Sequence, residues 1–199
     1  MTAAATGTGQ DVHADRRARL QRTVTAAASS YHEVADWDAV AVHAAQAGER
    51  VALAPGLHAT HPHLATRLEG LGCTVVVPGE EHPAADVADV PVAIVAGVMA
   101  VAESGSVLVS EHALADRVVT MLCQRLVQVV AGDDVVDRLE DAAAWLAARG
   151  ATAGFASLMT GPSRTADIER SLTIGVQGPD EVDVLVLTGE HATSEGPGA

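Results

Sequence analysis

The chain has 199 residues, of which 48 % are hydrophobic and only four are Trp, Tyr or Phe. Its formal net charge of −14 argues against nucleic acid or an anionic membrane surface as a partner, because both are bound by a dense basic surface. All 12 basic residues are Arg, so Schiff-base and P-loop lysine chemistry is excluded.

The first half of the chain predicts helices followed by a parallel crossover unit. A helical pattern covers residues 15–47 and is interrupted near Ser29. Arg50–Ala54 is an apolar run that predicts the first buried strand. Pro62–Leu71 then predicts a helix, and Cys73–Val77 predicts the next strand. This strand, helix, strand order is typical of a right-handed parallel connection.

The second half repeats the alternation of strands and helices. Gly97–Ala102 predicts a short helical turn, Asp133–Arg149 predicts a long helix, and a short helix is expected to open at about Thr165. Further strands are predicted at Val90–Ala96, Ser106–Ser110, Arg125–Ala131, Ala153–Met159 and Val182–Leu187. About seven strands separated by helices predict an α/β fold, a mostly parallel open sheet flanked by helices. Ligands of such sheets bind beyond the carboxyl ends of the strands.

The chain ends and the cysteines bear on organisation and location. The terminal segments are small, polar or Gly-rich, so we expect flexible tails at 1–14 and 189–199 around one domain at 15–188. Cys73 and Cys123 lack a CxxC spacing, which is typical of a reducing compartment. No uncharged apolar stretch reaches the roughly 18 residues of a membrane span, so we expect a cytoplasmic protein.

The first candidate site is the turn Glu103-Ser104-Gly105-Ser106. Gly105 allows a positive φ or a close backbone approach, and Ser104 and Ser106 offer hydroxyls to a small anion. Glu103 is a candidate catalytic acid or base if burial raises its pKa. The same residues also fit a solvated hairpin turn with a surface carboxylate.

The second candidate site, at 160–169, directly follows a predicted strand. A Gly-Pro turn that leads into a helix start predicts an anion site, because free N–H groups and the helix dipole face the ligand. Arg164 offers a planar clamp for a carboxylate or phosphate. A capped helix start without a ligand is the alternative. The residues assigned to binding here are Gly161, Ser163, Arg164, Thr165 and Glu169, and Asp167 is a second catalytic candidate.

A third turn, at 175–179, precedes the last strand, and its Gln177 and Gly178 are assigned to the same cleft. Among the nine histidines, those at positions 58, 61 and 63 fall in a predicted loop. Their spacing fits no established ligand template, so a solvated loop is favoured and no metal site is assigned. His43 and His112 are isolated, and His112, at a strand end, is the better neighbour for a site. No cofactor can be assigned.

Three segments resemble the lactate utilisation protein C branch of the LUD domain family. Residues 161–169 match the family's GPSRTADIE signature, 102–109 resemble its AETGT segment with the following strand, and 175–179 resemble its GVHGP turn. The resemblance implies a fold like that of the NagB/RpiA/CoA-transferase group. It also implies a part in oxidising L-lactate to pyruvate beside iron–sulfur partner proteins.

The chain departs from the family pattern at two places. Gln177 stands where the family has His, and Leu122–Val127 replaces a Pro-rich run that contains His. Gln cannot carry a proton near neutral pH. The leading hypothesis is a component of lactate catabolism that binds a small carboxylate or a cofactor phosphate between the turns. Two alternatives stay open: a sugar-phosphate isomerase or CoA-transferase-like enzyme, and a non-catalytic assembly or regulatory subunit.

Overall fold

The computed structural model describes residues 9–162, 164–168, 171–174 and 178–189. The strands are β1 (Ser30–Val34), β2 (Arg50–Leu53), β3 (Thr74–Val76), β4 (Val92–Ala96), β5 (Met99–Val101), β6 (Ser106–Glu111), β7 (Arg125–Ala131), β8 (Val135–Val136), β9 (Phe155–Met159), β10 (Arg164–Ile168), β11 (Ser171–Ile174) and β12 (Glu181–Leu187). The α-helices are α1 (Gly9–Ala26), α2 (Trp37–Ala47), α3 (Pro55–Thr60), α4 (Pro62–Gly70), α5 (Pro83–Val87), α6 (Leu114–Leu122) and α7 (Leu139–Arg149).

Six strands form one parallel sheet in the order β1-β12-β7-β4-β2-β3. Its central strands β12, β7 and β4 are rich in Val, Ala and Leu, and nearly all of their side chains are buried. Near-continuous apolar strands of this kind belong to parallel sheets that helices cover on both faces. The predicted fold class, a mostly parallel α/β sheet flanked by helices, is confirmed.

A second sheet of four strands has the order β8-β5-β6-β9. Strand β6 is antiparallel to both β5 and β9, whereas β8 pairs with β5 in parallel. Ala100, Val107 and Val109 of this sheet belong to the same buried cluster as the central strands of the parallel sheet. One core therefore joins the two sheets.

Several segments differ from their predicted state because pairing with another strand outweighs a local pattern. The break predicted near Ser29 contains β1, an edge strand of the parallel sheet. The helical turn predicted at 97–102 contains β5, and the helix predicted at 133–149 begins only at Leu139 and leaves room for β8. The helix predicted from Thr165 is wrong, since that residue lies in β10, paired with β11.

The N-terminal half holds further differences. The first helix begins at Gly9, inside the tail predicted for 1–14. His58 lies in α3 and His63 in α4, so a pair of short helices replaces the predicted histidine loop. Helix α6 was not predicted. Across the described ranges, no helix combines the length and the hydropathy that crossing a membrane would require.

Candidate functional site

A cavity of about 520 Å³ lies at the carboxyl edge of the parallel sheet. Residues at or just beyond the ends of four neighbouring strands line it, namely Ala54, Ala96, Ala131 and Leu187. The volume falls within the range of roughly 300–1,000 Å³ that is typical of small-molecule sites. The carboxyl edge is also where open parallel sheets bind their ligands.

Gly97 allows the small sheet to form the wall that faces this edge. Its N–H donates to the Val129 carbonyl over 2.8 Å, directly after β4 ends. A Cβ atom at this position would clash with Val107 Cγ1 and would lie 2.8 Å from Val130 Cγ2. The absence of a side chain at Gly97 therefore sets how closely the two sheets approach beside the cavity.

Glu111 is a buried carboxyl group in the wall of the cavity. It ends β6 and is only 4 % exposed. The Thr120 hydroxyl donates to Oε1, whereas Oε2 accepts no hydrogen bond from the described part of the chain. Burial raises the pKa of Glu111, and the nearby Asp116 charge adds to the rise against the lowering effects of Thr120 and Arg117. A carboxyl group in this position can hold and release a proton.

Asp116 also lines the cavity, but its oxygens are occupied by the backbone. The Gly56 N–H donates to Oδ1 over 2.9 Å, and the Ala113 N–H donates to Oδ2 over 3.3 Å. The side chain thus ties the start of α3 to the start of α6. We interpret Asp116 as a positioning residue that holds the cavity wall in place.

Aromatic and imidazole rings line the side of the cavity next to α2 and α3. The Trp37 and His61 rings lie 4.3 Å apart between centroids, and both side chains face the cavity. Burial lowers the pKa of His61, and the neighbouring His63 lowers it further. His112 directly follows Glu111 and lines the cavity too. Its predicted role as the better site neighbour among the isolated histidines remains a prediction that this position favours.

Arg149 brings positive charge to the cavity from the last turn of α7. Its guanidinium carbon lies 4.7 Å from the ring centroid of Trp145, one turn earlier on the same helix. Among the described residues that line the cavity, Arg149 is the one arginine. A guanidinium held against an aromatic ring keeps its donors free for a planar carboxylate.

The structure places the first predicted site elsewhere, in the hairpin turn between β5 and β6. The Leu139 N–H donates to Glu103 Oε1 over 2.6 Å, and Arg19 lies 3.9 Å from the other oxygen. Glu103 therefore supports the start of α7, and it does not line the cavity. The segment is a hairpin turn, but it is not the solvated turn of the alternative interpretation, because Ser106 is buried and Glu103 is hydrogen-bonded to α7.

The two predicted turns meet each other at one point. The Ser106 hydroxyl lies 2.5 Å from the Thr160 hydroxyl and 2.8 Å from the Ser104 hydroxyl. Gly105 and Gly161 both have positive φ, and a Cβ atom at either would clash with backbone near the end of α1. Gly105 has both the positive φ and the close backbone approach that its residue type allows. Both glycines serve close packing against α1.

The remaining residues of the second and third turns fall into three groups, of which the first, Gly161 and Gly178, lies close to the amino edge of the parallel sheet. Gly161 packs against Ala27, shortly before β1 begins, and Gly178 shortly precedes β12. Three of the predicted residues form part of β10, and three lie outside the described residues. Those in β10 are Arg164, Thr165 and Asp167, and those outside are Ser163, Glu169 and Gln177. Their binding and catalytic roles remain predictions.

Sequence reasoning missed most of the residues that line the cavity. Glu111 carried one available signal, because a carboxylate that closes an apolar strand lies at an edge where ligands bind. Asp116 and Arg149 carried none, since the helix of Asp116 was not predicted and Arg149 looks like an ordinary polar residue at the end of a helix. Only the packing of α6 and α7 against the sheets brings them to the cavity.

Comparison with known proteins identifies the family to which this chain belongs. The LUD domain profile matches residues 57–187. Three curated relatives are each named lactate utilization protein C, from Geobacillus thermodenitrificans, a Geobacillus species and Geobacillus kaustophilus. They are 34 %, 32 % and 33 % identical to this chain over 91 residues. Those residues make up 44 % of this chain and 38 % of each relative, so the match spans well under half of their length.

A solved structure is similar over most of the chain. It is the crystal structure of a DUF162 family protein from Deinococcus radiodurans, with a TM-score of 0.64 and 16 % identity. The likeness covers 88 % of this chain and 98 % of that chain. At this level of identity, the likeness concerns the fold alone.

Proposed function

The chain belongs to the LUD domain family, and from that premise we propose that it is a component of lactate utilisation that binds a small carboxylate in the cavity beside the parallel sheet. The names of the curated relatives suggest lactate or pyruvate as the ligand. The observation that carries the proposal is the position of Arg149 at a largely apolar cavity of about 520 Å³. A three-carbon acid needs one cationic partner for its carboxylate and an apolar surface for its methyl group.

Arg149 is the residue that we assign to the carboxylate. A guanidinium binds a carboxylate through two parallel N–H donors, which fixes its orientation as well as its position. The Trp145 ring beside it limits the directions in which the side chain can point. Lactate contains far fewer atoms than the cavity can hold, so a second reactant or part of a partner protein has room beside it.

Glu111 is the residue that we assign to proton transfer. Oxidation of lactate to pyruvate releases two electrons and two protons, one from the hydroxyl group and one from C2, and the C2 proton would pass to solvent. The unpartnered Oε2 of Glu111 would accept the hydroxyl proton. An iron–sulfur partner protein, the partner class that the family resemblance implies, would take the electrons. The hydroxyl group of the ligand, by donating a hydrogen bond to Oε2, would also offset the cost of burying that oxygen without a partner.

The test is calorimetric titration of the full chain with L-lactate and pyruvate, using propionate as a ligand without an oxygen on C2. We expect Arg149→Ala to weaken binding about tenfold or more, because a hydrogen bond to a charged group contributes about 1.5–3 kcal/mol. Arg138→Ala removes an exposed arginine at the other end of α7 and is the matched control. It should bind like the unmodified chain.

Other results would support a different binding site or a different function. Weaker binding in Ser106→Ala, with unaltered binding in Arg149→Ala, would support the anion site predicted at the 103–106 and 161–169 turns. Failure to bind any carboxylate, sugar phosphate, CoA or nucleotide, together with stable association with an iron–sulfur protein, would support the assembly-subunit alternative. A ligand that binds the native state must raise its apparent stability, so thermal shifts allow a rapid first screen.

A further inference from the structure

Two histidines and one aspartate converge at a second place, away from the cavity. His32 lies on β1, His43 on α2 and Asp183 on β12. Because β1 and β12 are paired in parallel, with His32 opposite Leu185, the His32 and Asp183 side chains lie on the same face of the sheet. Helix α2 packs near that face and contributes the third side chain. None of the three lines the cavity.

The three side chains are close enough to share one ion. His43 Nε2 lies 2.9 Å from Asp183 Oδ2, and the two imidazole rings are 4.7 Å apart between centroids. One ligand atom from each residue can be chosen so that all three lie within 4.8 Å of one another. Zinc–nitrogen and zinc–oxygen bonds are about 2.0–2.2 Å long, so small side-chain rotations would bring all three atoms onto one ion.

Asp183 is an unusual residue for its position. It interrupts an apolar central strand and is only 2 % exposed. Burial of a carboxylate is costly unless cations or donors compensate for the lost water. Arg125 Nη1 donates to Asp183 Oδ2 over 3.1 Å, and Arg125 Nη2 contacts Glu181, which gives the guanidinium a second carboxylate partner. A buried carboxylate oriented by an arginine resembles a metal ligand fixed by its outer shell.

We propose that His32, His43 and Asp183 bind one divalent transition-metal ion of the Zn²⁺ class. Two imidazoles and a carboxylate form a donor set that suits zinc and its neighbours in the first transition series, whereas Ca²⁺ and Mg²⁺ prefer all-oxygen ligands. His32 is exposed, so the ion would keep a solvent-facing position for water. The ion would join β1, β12 and α2 at the edge of the parallel sheet.

The experiment is titration of the chelator-treated full chain with two metal ions. Calorimetry measures the binding of Zn²⁺, and visible absorption measures the binding of Co²⁺. We expect one equivalent to bind and His32→Ala to weaken that binding at least about tenfold, as even outer-shell losses do. His32 is exposed, so the substitution should leave the fold intact. His82→Ala removes another exposed histidine far along the chain and should leave the binding unaltered.

Two further variants make the result decisive. His43→Ala should also weaken Zn²⁺ binding, and Asp183→Asn should do so wherever circular dichroism shows that it folds. Ligand-field bands of bound Co²⁺ that are altered in His32→Ala but not in His82→Ala would support the assignment. Absence of stoichiometric binding in the unmodified chain, or equal affinity in His32→Ala, would overturn it and leave Asp183 as a carboxylate hydrogen-bonded to His43 and Arg125.

Discussion

Two buried carboxyl groups have pKa values displaced in opposite directions because their neighbours differ. Burial raises the pKa of Glu111, and Asp116 adds a like charge nearby. Burial also acts to raise the pKa of Asp183, but the hydrogen bond from His43 and the charge of Arg125 outweigh it and hold that pKa below its ordinary value. Glu111 is therefore suited to carry a proton, whereas Asp183 is suited to remain an anion beside cations.

The raised pKa of Glu111 predicts a pH dependence of stability. Between the unfolded pKa near 4.5 and the higher native value, the native state binds more protons than the unfolded state. The free energy of unfolding must therefore fall as pH rises through this window. We expect the unmodified chain to lose stability relative to Glu111→Gln, because Gln stays neutral in a similar shape.

Urea unfolding of both proteins at a series of pH values from below 4.5 upward checks this expectation. The comparison cancels the titration of groups that the two proteins share. Equal pH profiles would show that Glu111 does not change its protonation on folding over that range.

The glycines at positions 105 and 161 are required by the close packing of their turns against α1. Gly105 has a φ of 73°, and a Cβ atom there would lie 2.7 Å from the Val24 nitrogen near the end of α1. The Thr23 hydroxyl donates to the Ala102 carbonyl over 2.9 Å, which joins the same helix to the same turn. The turn between β5 and β6 is thus a packing contact with α1.

Gly105→Ala should destabilise the protein by about 1–3 kcal/mol from backbone strain alone, with a further cost for displacing α1. Gly70→Ala is the control, because Gly70 ends α4 and has no atom within 4 Å of an added Cβ. It should be neutral or slightly stabilising, since Ala is the better helix former. Chemical denaturation measures both, and equal stabilities of the two variants would contradict this account of the turn.

At the scale of the whole molecule, one buried cluster connects the parallel sheet to the small sheet. The chain has two tryptophans, one beside each layer: Trp37 begins α2, and Trp145 lies on α7 above the small sheet. Because the parallel sheet and the small sheet share this buried cluster, we expect them to unfold in a single transition.

Single-tryptophan variants test this cooperativity. Trp37→Phe leaves Trp145 as the fluorescent reporter, and Trp145→Phe leaves Trp37. Within each variant, the fluorescence midpoint in urea should coincide with the midpoint from far-ultraviolet circular dichroism. A Trp145 transition that precedes the loss of secondary structure would show that the small sheet unfolds separately.

Much of the architecture was accessible from the sequence, because buried parallel strands need long apolar runs whatever surrounds them. The segments at 50–54, 90–96, 125–131 and 182–187 were recognised for that reason, and their order predicted the parallel sheet. The signature at 161–169 also indicated the LUD domain family. Strand β1 was missed because its partner β12 lies far along the chain, beyond the reach of a local pattern. Strand β5 was missed although its hairpin partner β6 follows it directly.

The candidate site required the tertiary structure. Two turns rich in Gly and Ser were predicted to bind an anion, since their residue types allow it. In the folded chain, Gly105 and Gly161 lie against α1, while Glu111 and Arg149 reach the cavity from a strand end and a distant helix. The sequence determines which chemical groups are available. Only the packing of the folded chain determines which side chains line the same cavity and which oxygens are buried away from water.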